Sequence, residues 1–156
     1  MSVAVQPSPV PLALSANLAS ALNHPRGVLR IVAQRDGSIV TVYAGGEVDA
    51  ANEHSWQQLL REAAAATPAP GLLVIDTDGL DFMGSCAFTA LAEEADRCRR
   101  RGIRMCVVSC QPIVGRVITA GGLGSLLPVY PNADTALSAA PCRGMRSSPA
   151  GGRRGQ

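Results

Sequence analysis

Leu72-Leu73-Val74-Ile75-Asp76, followed by Asp81-Phe82-Met83-Gly84-Ser85-Cys86-Ala87-Phe88, is the stretch whose reading decides the fold. Leu72 to Ile75 is continuously apolar, the pattern of a short strand covered on both faces and therefore central in its sheet. A helix follows, because Phe88, Leu91, Ala92, Ala95 and Cys98 share one face at helical spacing. Glu93–Arg97 and Asp96–Arg100 are i,i+4 charge pairs on the opposite face, and Gly102 stops the helix. A buried strand feeding an amphipathic helix is the repeating unit of a layered α/β arrangement.

Working outward, Trp56, Leu59, Leu60 and Ala63 form a second helical stripe within Asp49 to Ala66, ended by Thr67, Pro68 and Pro70. Before it, Val28–Ala33 and Ser38–Ala44 read as two strands joined at Asp36-Gly37, an antiparallel hairpin. After Gly102, Ile103–Cys110 reads as a strand. Pro112 then opens a helix with the stripe Ile113, Val114, Val117 and Ile118, closed by Gly121-Gly122. Leu126–Tyr130 is a last short strand and Asn132–Ala139 a last helical segment. The order predicts a mostly parallel sheet of four to five strands that begins with an antiparallel hairpin and has helices packed on it. Residues 1–27, rich in Pro, Ser and Ala, read as a flexible arm in which Leu14, Leu18 and Leu22 fall at helical spacing. Residues 28–139 form the domain, and 140–156, rich in Gly, Ser and Arg, read as a disordered tail.

A chain of 156 residues, 47% of them hydrophobic, suits one domain with an aliphatic core. The net charge of +2 owes much to the C-terminal tail, so no nucleic-acid footprint is expected. No apolar run is long enough to cross a bilayer, and the uncharged, proline-broken N-terminus lacks the basic start of a secretory signal, so the expectation is cytoplasmic. Five cysteines, at 86, 98, 106, 110 and 142, show no CxxC and no Cys/His zinc spacing, so neither a metal nor another cofactor is expected.

Three segments carry a resemblance in their order and spacing. Gly46-Glu47-Val48-Asp49-Ala50-Ala51 is similar to a "GELDxAT"-type turn, Leu73–Asp76 with Asp81–Ala87 to a strand-to-helix junction bearing "DSSG", and Gly121-Gly122-Leu123 with Leu126–Tyr130 to a glycine-closed helix before a strand. Together, over about residues 28–139, they resemble the STAS family of anti-sigma-factor antagonists. The resemblance implies a STAS fold and a protein that works by binding, without catalysis. Its expected partner is an anti-sigma factor of the serine-kinase type, released sigma factor being the output and phosphorylation of a Ser in "DSSG" the off switch. Here the junction departs from the pattern: Gly84 stands at the Asp, Ser85 at the first Ser, Cys86 at the usual phosphoacceptor and Ala87 at the Gly. The expected partner-binding surface is Glu47, Val48 and Asp49 with Gly84, Ser85, Cys86, Ala87 and Phe88. Self-association into a dimer is left open.

Ser85 lies where its hydroxyl is expected to cap the helix, and a helix start favours negative charge. A phosphate there adds roughly −1.5 to −2 charges to a contact surface. Ser85 and Cys86 are therefore the candidate modification sites. A thiol in the first turn of a helix sits in the environment of reactive cysteines, so redox control at Cys86 is an alternative to phosphate. Cys110 ends the next strand, which makes Cys86–Cys110 the candidate disulfide. Cys106 and Cys110 cannot pair along one strand, since four residues span about 13 Å against the roughly 7 Å a bridge allows.

Rival readings remain. One is a redox-sensing STAS protein, another a STAS subunit of a transporter or stress-sensing complex. A third is a ligand-binding domain or enzyme using Asp76, Asp78 and Asp81, for which no nucleophile, base or phosphate loop is evident. Asp76 and Asp78 are expected to cap and turn the chain, Asp49 to cap the first domain helix, and Arg99-Arg100-Arg101 to complement a helix end.

Overall fold

The computed structural model describes residues 9–25 and 27–139; the tail expected to be disordered, and Cys142 within it, lie outside the described residues. The elements in chain order are β1 (Val10–Pro11), α1 (Ala16–Leu22), β2 (Leu29–Asp36), β3 (Ile39–Val48), α2 (Glu53–Ala66), β4 (Gly71–Met83), α3 (Ser85–Arg100), β5 (Ile103–Val108), α4 (Pro112–Ala120), β6 (Val129–Tyr130) and α5 (Ala133–Ala139). The strands form one sheet in sequential order, β1-β2-β3-β4-β5-β6. β1–β2 and β2–β3 are antiparallel, and β3–β4, β4–β5 and β5–β6 are parallel.

Each parallel step needs a crossover, and α2, α3 and α4 supply them. Crossovers of one hand along a sheet that grows in one direction place all three helices on one face. The main core lies there: Trp56, Leu59, Leu60 and Ala63 of α2 meet Leu91, Ala95 and Cys98 of α3 and the inward side chains Val40, Val42, Leu73 and Ile75. The opposite face is covered only in part, where α5 lays Ala136 over Leu72, Val74, Cys106 and Val108. β4 is thus covered on both faces, as its unbroken apolar run requires.

The hairpin turns through Gly37, at φ 63°, where a positive φ suits glycine. Four differences from the sequence reading have physical causes. The N-terminal segment, expected as a flexible arm with room for one short helix at Leu14, Leu18 and Leu22, contributes that helix and also a strand, both docked on the domain. Leu18 of α1 is fully buried, and Ser15 caps α1 while donating its hydroxyl to Glu62 at 2.6 Å. β4 is thirteen residues long and runs through Asp76 and Asp78, because β3 continues alongside it. Neither carboxylate ends the strand: Asp76 accepts from the Asp78 amide, and Asp78 accepts from the Cys110 amide at 2.7 Å. On α3, Asp96–Arg100 forms as expected, but Arg97 reaches Glu94 at 2.9 Å instead of Glu93.

Candidate functional site

β3 and β4 outrun β5. Their ladder continues past the last β4–β5 pair, Asp76–Val108, to Glu47–Phe82 and Val48–Met83, with one extra β4 residue between Asp76 and Gly79 and another between Leu80 and Phe82. The Gly84 amide then donates to the Val48 carbonyl at 2.9 Å. This overhang brings the two segments expected to bind a partner, Glu47-Val48-Asp49 and Gly84 to Phe88, side by side at one corner of the sheet.

The first segment is a closed turn. Asn52 accepts from the Asp49 amide at 2.9 Å and donates to the Glu47 carbonyl at 2.9 Å, while Asp49 accepts from the Ala51 amide at 2.9 Å. The helix cap is Asn52, so Asp49 fastens the turn and does not cap α2. Sequence reasoning missed Asn52; an Asn three residues after an Asp at a strand end is the signal that would have found it. Glu47 projects to solvent, Val48 is buried and Asp49 is half-buried.

In the second segment Gly84 is the N-cap of α3 and Ser85 its first residue. The expected capping role of Ser85 does not hold, since a side chain one position inside the helix cannot reach back over the end. The Ser85 hydroxyl is exposed and has no hydrogen-bond partner among the described residues. Cys86 is half-buried, Ala87 buried and Phe88 half-buried against the core. Beneath them the fully buried Trp56 donates its indole N–H to the Ala87 carbonyl at 3.2 Å, which ties the first turn of α3 to α2.

Cys86 and Cys110 are both free thiols. Cys110 is held beside Asp78, and β4 runs five residues further, about 16 Å of strand, before Gly84 and the helix that carries Cys86 in its first turn. The hydrogen bond to Asp78, with that carboxylate's charge, pushes the Cys110 thiol up. Cys98 and Cys106 are buried, and burial first of all raises their thiols to about 11 and about 12.

A further set of residues was not legible. α4 buries Val114 and Ile118 but turns Ile113 (55% exposed) and Val117 (38%) outward. With Phe82 (52%), Met83 and Phe88 they line an apolar groove of about 250 Å³ beside Ser85, with Asp81 at its rim. The four apolar positions of α4 were read as one stripe, yet on a nine-residue helix i and i+1 lie 100° apart and only one pair faces the sheet.

A family model described as the STAS domain matches residues 30–136. The chain belongs to the STAS domain family. Over 135 residues this STAS chain is 51% identical to an anti-anti-sigma factor of Mycobacterium tuberculosis, covering 86% of the chain and 91% of that relative. Over 111 residues it is 53% identical to an anti-sigma-F factor antagonist of the same species, covering 71% and 87%. Among solved structures, an anti-sigma factor antagonist from Mycobacterium paratuberculosis superposes with a TM-score of 0.63 at 28% identity, covering 71% of the STAS chain and 92% of its own. Among the described residues no helix is long and apolar enough to cross a membrane.

Proposed function

We propose that this STAS domain is an anti-sigma-factor antagonist that acts in the cytoplasm, binding a serine-kinase-type anti-sigma factor and so freeing a sigma factor. The observation that carries the reading is the junction itself: the Glu47–Asp49 turn and the exposed start of α3 are held together by the Gly84–Val48 hydrogen bond, next to an apolar groove at Phe82, Ile113 and Val117. Relatives at 51–53% identity are described as an anti-anti-sigma factor and an anti-sigma-F factor antagonist, which supports the antagonist reading. The groove offers a partner apolar area to bury, and Glu47 and Asp49 offer charge for orientation.

Ser85 is the proposed switch. A phosphate at the first residue of α3 is favoured locally by the helix dipole, by about 0.3–1 kcal/mol, so modification leaves the fold intact. The same dianion inside a protein contact must shed its water, and without a matched cation that costs several kcal/mol. Cys86, half-buried one residue on, is a second point of control, because a group added to its sulfur enlarges the same surface.

Pull-down with serine-kinase-type anti-sigma factors of the same genome tests this, with ATP present or absent and under reducing or oxidising conditions. Binding by the unmodified protein, lost together with the appearance of phosphate on Ser85, is the expected result. Retention of binding by Ser85→Glu refutes the switch, and failure to bind any such kinase refutes the function.

A further inference from the structure

The face of the sheet turned away from α2, α3 and α4 is covered by α5 only over β4 and β5, which leaves the side chains of β2 and β3 on that face bare. The register sets them in rows. Val32, Tyr43 and Asp76 stand side by side across β2, β3 and β4, and Arg30, Gly45 and Gly79 form the next row. Val32 is 56% exposed and Tyr43 40%, so two large apolar side chains meet water side by side. The same patch carries one charge of each sign. Arg30 is exposed and makes no ion pair among the described residues, and its guanidinium lies over Gly45, where an added Cβ would meet Nη2 at 3.0 Å. Asp76 accepts from the Asp78 amide, and partial burial pushes its carboxyl up. Between the two charges Gly45 and Gly79 offer no side chain, and the surface dips into a hollow of about 310 Å³.

We propose that this bare face is the contact surface of a symmetric dimer, two copies packed sheet to sheet about a two-fold axis that lies between them. In such a contact the same patch serves on both sides, so it must be complementary to itself. This patch is. Arg30 and Asp76 lie on a diagonal, about 12 Å apart by strand spacing and rise, with Tyr43 and Gly45 flanking its midpoint. A two-fold axis crossing that diagonal at right angles sets Arg30 of each copy on Asp76 of the other. The same operation lays Val32 against the second copy's Tyr43 and crosses the two sets of strands at roughly 70°, near the orthogonal class of sheet packing. It also carries the second copy's α5 past the β2 edge, so that helix does not obstruct the contact. Charge favours a second copy over the chain's own C-terminal residues, whose Arg143, Arg146, Arg153 and Arg154 come with no acid to meet Arg30. Ser85 starts α3 on the other face, so failure of this contact leaves the antagonist reading untouched.

Sedimentation velocity of the full chain tests this from about 5 to about 500 µM, the range in which a contact of this small size associates. The wild-type chain should pass from monomer to dimer within it. Arg30→Asp and Asp76→Arg, each alone, set like charges together at both ends of the contact and should weaken association at least about tenfold. Val32→Glu should do the same from the centre. Mixed in equal amounts, the Arg30→Asp and Asp76→Arg proteins regain one acid and one base at each end, and should form a heterodimer within about threefold of the wild-type affinity. Circular dichroism establishes that each variant is folded. A wild-type chain that stays monomeric throughout overturns the proposal, as does a mixture that stays monomeric although both proteins fold. Should Asp76→Arg not fold, undiminished association of Arg30→Asp and Val32→Glu overturns it equally.

Discussion

Replacing Trp56 by Phe asks how firmly the core holds the start of α3. Trp56 is fully buried on α2, and its indole donates to the Ala87 carbonyl at 3.2 Å. That carbonyl also belongs to the i→i−4 ladder of α3, so losing the indole does not orphan it. The cost is thus one net hydrogen bond, about 0.5–1.5 kcal/mol, plus the space a smaller ring leaves, about 1 kcal/mol. The sum, about 2 kcal/mol, corresponds to a fall in Tm of roughly 6–12 °C for a domain of this size. Trp56→Ala removes the whole side chain and should cost about 3–5 kcal/mol. Urea denaturation followed by circular dichroism measures both, since the chain has no other Trp to report by fluorescence. Amide exchange should accelerate in the first turn of α3 in the Phe variant, showing that the site itself is loosened. A loss under 0.5 kcal/mol for Phe, or equal losses for Phe and Ala, would refute the reasoning.

Three further outcomes follow from the same geometry. Gly46→Ala should destabilise by at least about 3 kcal/mol, because φ is 96° and an added Cβ would fall 1.6 Å from the Val28 carbonyl oxygen; a soluble variant with wild-type Tm would contradict this. At Glu62 burial pushes the carboxyl up, but the hydrogen bonds from Ser15 and Gln58 outweigh it and its pKa lies below the ordinary 4.5. A depressed carboxylate stabilises fully above its unfolded pKa and stops doing so as pH falls through the folded one. The amides of α1 should therefore lose exchange protection as pH drops below about 4.5, ahead of the sheet, and Glu62→Gln should remove that pH dependence. Asp78→Asn keeps an oxygen for the Cys110 amide but removes the charge that disfavours the thiolate, so alkylation of Cys110 by iodoacetamide at pH 8 should speed up several-fold; an unchanged rate would show that Asp78 does not control the thiol.

The fold was legible where one physical signal dominates. The continuous apolar run Leu72–Ile75 could only be a strand covered on both sides, and the Trp56-Leu59-Leu60-Ala63 stripe could only be a helix on a sheet; both are fully buried or nearly so. The Asp36-Gly37 turn fixed the hairpin. Legibility failed where tertiary context sets the outcome. Nothing in Thr77 to Met83 reads as strand, because Asp78, Gly79 and Asp81 are poor strand formers; pairing with the overhanging end of β3 overrides that preference. The N-terminal segment looked loose because its proline content hides its anchors, the buried Leu18 with Leu12, Leu14 and Leu22 packed beside it. At the site, the two segments that the structure brings side by side were singled out by their resemblance to a known turn and junction, whereas the apolar groove was invisible, since exposure of Ile113 and Val117 depends on how α4 is rotated over the sheet.

The departure of this junction from its family's pattern is itself testable at Gly84. The family places an Asp there, and its absence could mean either that the backbone forbids a side chain or that the residue has simply changed. The structure decides between them: Gly84 has φ −72° and ψ 168°, ordinary extended backbone, and an added Cβ would meet nothing closer than 3.5 Å. Gly84 is also the N-cap of α3, whose first turn carries no acidic residue. An Asp at that position accepts from free amides of the first turn and complements the dipole. Gly84→Asp should therefore fold normally and gain a few tenths of a kcal/mol, read as a small rise in Tm that high salt reduces. A marked loss of stability would mean that the glycine is required after all, and that the corner formed by Val48 and Gly84 is tighter than its geometry indicates. With the gain, Gly84→Asp combined with Cys86→Ser becomes a stable background carrying the family's hydroxyl, in which phosphorylation can be compared directly between positions 85 and 86.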